Sequence, residues 1–131
     1  MKSDLELELA PSPESVPEAR RALDALSGRI AESVLERVRL MLSELVTNAI
    51  RHAGLGPADQ ISVRLFAIDD RMRVEVIDRG AGFDTRPNAI SLHEQSGWGL
   101  YLVGQLSDRW GVIVENGSCF WFEVDGSTAT D

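Results

Sequence analysis

Glu44, Asn48 and His52 stand four residues apart in a segment with helical hydrophobic spacing. They therefore share one stripe of a helix, offset from its apolar face. A glutamate there can take a proton or polarise water. An asparagine offers a neutral oxygen that can complete a Mg²⁺ shell whose other ligands are phosphates and water. The alternative is an ordinary solvated face, since polar stripes are the norm on surface helices. A second group, Asp78-Arg79-Gly80-Ala81-Gly82, follows an alternating segment. A carboxylate at a strand end can accept a hydrogen bond from an exocyclic amine, and the glycines let backbone approach a flat ligand. The plain reading is a glycine-rich turn. A third group, Ser96-Gly97-Trp98-Gly99-Leu100, leads into a helical pattern. Free N–H groups at such a helix start can cradle phosphate. The fragment lacks the preceding strand that a dinucleotide-binding fold requires.

These groups need elements to hold them. Leu5, Leu7 and Leu9 alternate with acidic residues, which predicts a strand over 4–9. Pro11 and Pro13 end it. Ser15 is expected to cap a helix over 16–27, with Pro17 in its first turn and Glu18 completing a capping box. Leu35, Val38, Leu42, Leu45, Ala49 and Ala53 recur at three or four residues, predicting a long helix over 32–53. Gly54, Gly56 and Pro57 stop it. Residues 60–68 and 71–78 alternate around Asp69-Asp70 and read as a hairpin. Residues 79–97 read as a long loop, 98–107 as a helix, and 111–115 with 119–124 as a hairpin around Asn116-Gly117. Residues 125–131 are expected to fray. The order β-α-α-β-β-loop-α-β-β predicts an α+β fold. Its form is a two-layer sandwich of one mixed, mostly antiparallel sheet with the helices on one face.

Composition narrows the function. The 131 residues are one domain's worth. Thirteen basic residues against 21 acidic ones give a formal charge of −8, which disfavours nucleic acid and anionic membrane as partners. Lys2 is the only lysine, so neither a Walker A site nor the strand lysine of the eukaryotic-type protein kinase is available. Met1–Ala10 does not read as a signal peptide and no apolar run is long enough to span a bilayer, so the cytoplasm is the expected location. Cys119 is the single cysteine, and two scattered histidines do not make a zinc site with it.

Taken together, the three groups resemble the GHKL (Bergerat-fold) ATP-binding superfamily. Ser43–His52 (SELVTNAIRH) is similar to its N box, Asp78–Gly82 to its first glycine box and Gly97–Leu100 to its second. The resemblance covers residues 5–124 and lies nearest the stand-alone bacterial anti-sigma-factor serine/threonine kinases. It implies ATP and Mg²⁺ as cofactors, with Asn48 holding the metal and Glu44 as catalytic base. It implies that Asp78 reads the adenine amine, with Gly80, Gly82 and Phe83 shaping that pocket. His52, Gly97, Trp98, Gly99 and Leu100 would lie against the nucleotide, and residues 84–96 would form an ATP lid. Arg20 on the first helix would contact protein partners, a sigma factor or an anti-sigma antagonist. A homodimer is compatible with the resemblance.

Two departures bear on the chemistry. Relatives in that branch often carry arginine at the positions of Gln95 and Trp98, and a charge-neutralising arginine can be worth several orders of magnitude in phosphoryl transfer. Arg86 could substitute. A non-catalytic ATP-dependent binding module is therefore the alternative function. A histidine kinase's catalytic domain and a gyrase-type ATPase fit less well, because no dimerisation helices or transducer lysine are present. A nucleotide-free interaction domain ranks last. His93 reads as a surface residue and Cys119 as packing.

Overall fold

The strands expected at both ends and in the middle of the chain assemble into one sheet, ordered β1-β2-β3-β5-β4. They are β1 (Leu5–Leu9), β2 (Ile61–Ile68), β3 (Arg71–Asp78), β4 (Arg109–Val114) and β5 (Ser118–Asp125). The helices are α1 (Ser15–Ala22), α2 (Glu32–His52) and α3 (Gly97–Leu106), with a 3₁₀ turn at Leu23–Leu26. This computed structural model describes residues 2–52, 56, 59–78, 97–114 and 117–128, with backbone only for His52 and residues 97–100. The fold class is α+β, as the sequence predicts. All four strand pairings are antiparallel, so among the described residues the sheet is not mixed.

Period-two patterning sorts the sheet's faces. Leu7, Val63, Val76, Phe120 and Val112 stand side by side in one cross-strand row, and Leu5, Leu65, Val74, Phe122 and Trp110 in the next. Against this face pack Val34, Leu35, Val38, Met41, Leu42, Leu45, Val46 and Ala49 of α2, with Ala19 of α1 and Val103 of α3. Each fully buried Val, Leu or Met among them contributes about 1.5–3 kcal/mol. The opposite face carries charge. Arg73 pairs with Glu75 and Glu123, and Arg109 with Glu123 and Asp125. The Arg73 guanidinium sits 4.4 Å from the centre of the Trp121 ring.

Three local expectations are corrected. Ser15 is not a cap: it is the first residue of α1, buried, and its hydroxyl donates to the Ala10 carbonyl at 2.6 Å. Glu14 holds the cap position without a side-chain hydrogen bond, so no capping box forms. The helix expected over 16–27 tightens into a 3₁₀ turn after Ala22, and Gly28 then takes φ +91°, a conformation glycine adopts without strain. Residues 125–128 do not fray. Asp125 ends β5, the Gly126 and Ser127 N–H groups donate to the Asp70 carbonyl, and the Ala31 N–H donates to the Ser127 carbonyl at 2.7 Å. Residues 129–131, like Ala53, Gly54 and Pro57, lie outside the described residues.

Candidate functional site

The site is built at one end of the α2–β3 contact. Leu45 and Ala49 of α2 are core residues, and Asn48 lies at the border of that face with 8% of its surface exposed. An amide drawn into an apolar layer is costly unless something satisfies it. Its neutral oxygen suits a hard cation that takes its remaining ligands from phosphates and water. Glu44 stands one turn earlier and is half-buried.

Asp78 closes β3. It shares strand parity with Met72, Val74 and Val76, so its carboxylate faces the helices, and it is 4% exposed. Its row reads Leu9, Ile61, Asp78, Ser118, Val114. A carboxylate in such a row suits recognition of a donor group on a flat, largely apolar ligand. Ser118, 6% exposed, is the polar neighbour that sequence reasoning missed. Its signal was its place as first residue after the Asn116-Gly117 turn, directly opposite the strand-end acid.

The path of α3 supplies the third part. Arg37 of α2 donates to the Leu106 carbonyl at 3.3 Å, which fixes the last turn of α3 beside the early part of α2. Val103 joins the common core. Hence α3 packs against α2, with its first turn at the opposite end from the Arg37 contact. N–H groups at a helix start are unpaired by the helix and attract anions. Gly97, Trp98, Gly99 and Leu100 form that turn.

Other expected residues are placed less fully. His52 is the last residue of α2. Arg20 is exposed in the last turn of α1, in a concavity of about 290 Å³ lined with Pro17, Arg21, Asp24 and Arg39. Gly80, Gly82, Phe83, Arg86, His93, Gln95 and the lid segment 84–96 lie outside the described residues. Cys119 is half-buried. Among the described residues no cluster of three or more His, Cys, Asp or Glu could hold a metal ion. A metal here would rest on Asn48 and on ligand oxygens.

Known proteins resemble this chain over most of its length. The chain is 31% identical over 122 residues to the serine-protein kinase RsbW of Listeria monocytogenes serotype 4a (strain HCC23), which covers 82% of this chain and 78% of that protein. The same figures hold for RsbW of Listeria innocua serovar 6a (strain ATCC BAA-680 / CLIP 11262). RsbW of Bacillus pumilus (strain SAFR-032) is 27% identical over 129 residues, covering 86% and 80%. Residues 9–122 match the histidine kinase-like ATPase domain. That span takes in α2 with Asn48, β3 with Asp78 and the whole of α3, and this chain belongs to the histidine kinase-like ATPase domain family.

Proposed function

We propose that this chain binds ATP with Mg²⁺ and phosphorylates a serine of a partner protein, as an anti-sigma-factor kinase of the partner-switching type. One observation carries the reading. Two polar side chains, Asn48 late in α2 and Asp78 at the end of β3, are buried, and the two elements start together, since Ser127 bonds both Ala31 and Asp70. The serine-protein kinase names of the relatives support it.

When bound, ATP supplies the phosphoryl group, and Mg²⁺ offsets charge on its phosphates. The Asn48 amide oxygen faces the metal. The Asp78 carboxylate accepts from the adenine amine, beside Gly80, Gly82 and Phe83. Backbone N–H groups of Gly97–Leu100 hold phosphate oxygens, with His52 at the near end of α2. Glu44 accepts the proton of the attacking serine hydroxyl. The serine oxygen bonds to the γ-phosphorus as the bond to the ADP leaving group breaks. Residues 84–96 act as the lid, with Arg86 neutralising charge. Arg20 meets the partner, a sigma factor or its antagonist. The described residues contain no helix long and apolar enough to cross a membrane, which is compatible with work in the cytoplasm. The net charge of −8 argues against nucleic acid.

Calorimetric titration with ATP, with and without Mg²⁺, tests the site. Asn48→Ala is expected to abolish the Mg²⁺-dependent part of binding. Incubation with a candidate antagonist protein and ATP-Mg²⁺ tests the transfer, and Glu44→Gln is expected to remove phosphoserine while ATP still binds. The second reading, an ATP-dependent binding module without transfer, is favoured by Gln95 and Trp98. Nucleotide-dependent partner binding with no phosphoserine would select it.

A further inference from the structure

Residues 125–128 hold two distant elements at once. The Gly126 and Ser127 N–H groups donate to the Asp70 carbonyl at 2.8 and 3.1 Å, and the Thr128 N–H donates to the Asp70 carboxylate at 2.7 Å. The Thr128 hydroxyl donates to the Asp69 carbonyl at 3.3 Å. On its other side the segment meets the start of α2. The Ala31 N–H donates to the Ser127 carbonyl at 2.7 Å, and Thr128 forms an antiparallel bridge with Ile30. The Ala31 carbonyl accepts from the N–H groups of Val34 and Leu35, both at 3.0 Å, so Ala31 is the residue on which α2 opens. Asp70 is the turn residue directly before β3. The segment is therefore a clasp between the start of α2 and the start of β3, and Ser127 at its centre is buried.

The following rests on the reading of Asn48 and Asp78 as nucleotide-binding residues. α2 packs on β3, and buried side chains from Val34 to Ala49 and from Met72 to Val76 share one core. Asn48 is seventeen residues beyond Ala31, about 25 Å of helix at ~1.5 Å each. Asp78 is eight residues beyond Asp70, about 26 Å of strand at ~3.3 Å each. Counted from the clasp, the two elements thus carry their polar side chains by matched distances. Apolar burial is non-directional, whereas hydrogen bonds to both elements fix where each begins. We propose that the clasp sets the position of α2 relative to β3, and that Asp70, through Thr128, is a positioning residue for nucleotide binding. Asp70 does not touch the nucleotide. It acts at the opposite end of β3 from Asp78, by holding the segment that holds Ala31.

The test is ATP-Mg²⁺ affinity, measured by calorimetry with the full chain well below its Tm. Asp70→Ala removes the carboxylate acceptor and is expected to weaken binding about fivefold, the scale of a remote positioning effect. Asp70→Asn keeps an oxygen that can accept the Thr128 N–H and should bind within about twofold of wild type. Gly111→Ala, outside the clasp, crowds the Trp121 indole and lowers stability alone, so its affinity should match the wild type. Linkage requires the reverse effect: saturating ATP-Mg²⁺ should slow amide exchange at Ser127 and Thr128 of the wild-type chain by about the same fivefold. That readout needs no variant. Unchanged affinity in Asp70→Ala with a lower Tm, an equal loss in Gly111→Ala, or exchange at Ser127 and Thr128 indifferent to ATP-Mg²⁺ overturns the inference and leaves the nucleotide site standing. A wild-type chain that binds no ATP-Mg²⁺ overturns both.

Discussion

The guanidinium of Arg37 reaches across from α2 to the carbonyl oxygen of Leu106, 69 residues further along the chain. That carbonyl belongs to the last turn of α3, where helical partners run out. The bond therefore satisfies a helix end and sets the direction of α3 together. At 3.3 Å it is long and contributes about 1 kcal/mol. Arg37→Ala is expected to lower the Tm by roughly 3 °C in a domain of this size. ATP affinity should fall as well if the first turn of α3 faces phosphate as proposed. Differential scanning calorimetry and ATP titration check the two parts.

Gly111 lies against Trp121. A Cβ at position 111 would stand 3.0 Å from three atoms of the indole, tighter than nine in ten real Cβ contacts. The indole cannot move freely, because the Arg73 guanidinium sits over it and is itself tied to Glu75 and Glu123. Gly111→Ala is expected to cost about 1–3 kcal/mol and to change tryptophan fluorescence. Urea denaturation measures the first effect.

Ser127 is buried with 1% exposure, and among the described residues its hydroxyl oxygen has no hydrogen-bond partner. A buried hydroxyl without a partner is a net loss on folding. Ser127→Ala should therefore raise stability by up to about 1 kcal/mol, read as a higher Tm. A lower Tm would mean that the hydroxyl is bonded after all.

Several carboxylates titrate below their ordinary range. The Ala67 N–H holds the Asp4 carboxyl down, against some burial and with help from Arg29. The Thr128 N–H does the same for Asp70. Burial pushes Glu123 up, but hydrogen bonds from Arg109 and Arg73 and their charge outweigh it, and the net direction is down. Such groups bind fewer protons folded than unfolded. The stability they add is complete above about pH 5.5 and is lost as pH falls through their folded values. The Tm should be nearly constant from about pH 7 to pH 5.5 and drop below about pH 4. Because the Asp70 carboxylate also receives the Thr128 N–H, the 125–128 segment should loosen in that acid range. Hydrogen exchange at Thr128 reports it.

Much of this architecture is legible in local pattern. The β2–β3 hairpin is marked by alternation around Asp69-Asp70, and Asp69 takes φ +54° there. The length of α2 follows from its apolar spacing. The buried face of Asp78 could have been read from parity, since it lies two residues beyond Val76 and four beyond Val74. What pattern cannot supply is long-range. The composition of 125–128 looks like a loose tail, yet its anchors are distant in sequence: backbone groups of Asp70 and Ala31 and the carboxylates of Asp70 and Asp108. Ser15 looks like a cap by type, but the nearby Ala10 carbonyl claims its hydroxyl. The role of Arg37 depends on where a distant helix ends, and nothing adjacent to it in sequence says so.

The sheet order has a consequence for how the protein is made. β5 inserts between β3 and β4, so the interior of the sheet is completed by the last strand among the described residues. Until Ser118–Asp125 arrives, β3 presents an open edge rich in valine and methionine, the kind of edge that recruits other chains. Asp78 also waits for Ser118 opposite it, so the proposed nucleotide end is assembled late and through contacts distant in sequence, a topology that folds slowly. Chains cut short before β5 should accumulate as insoluble protein in the cell, with the full-length chain alone yielding soluble product.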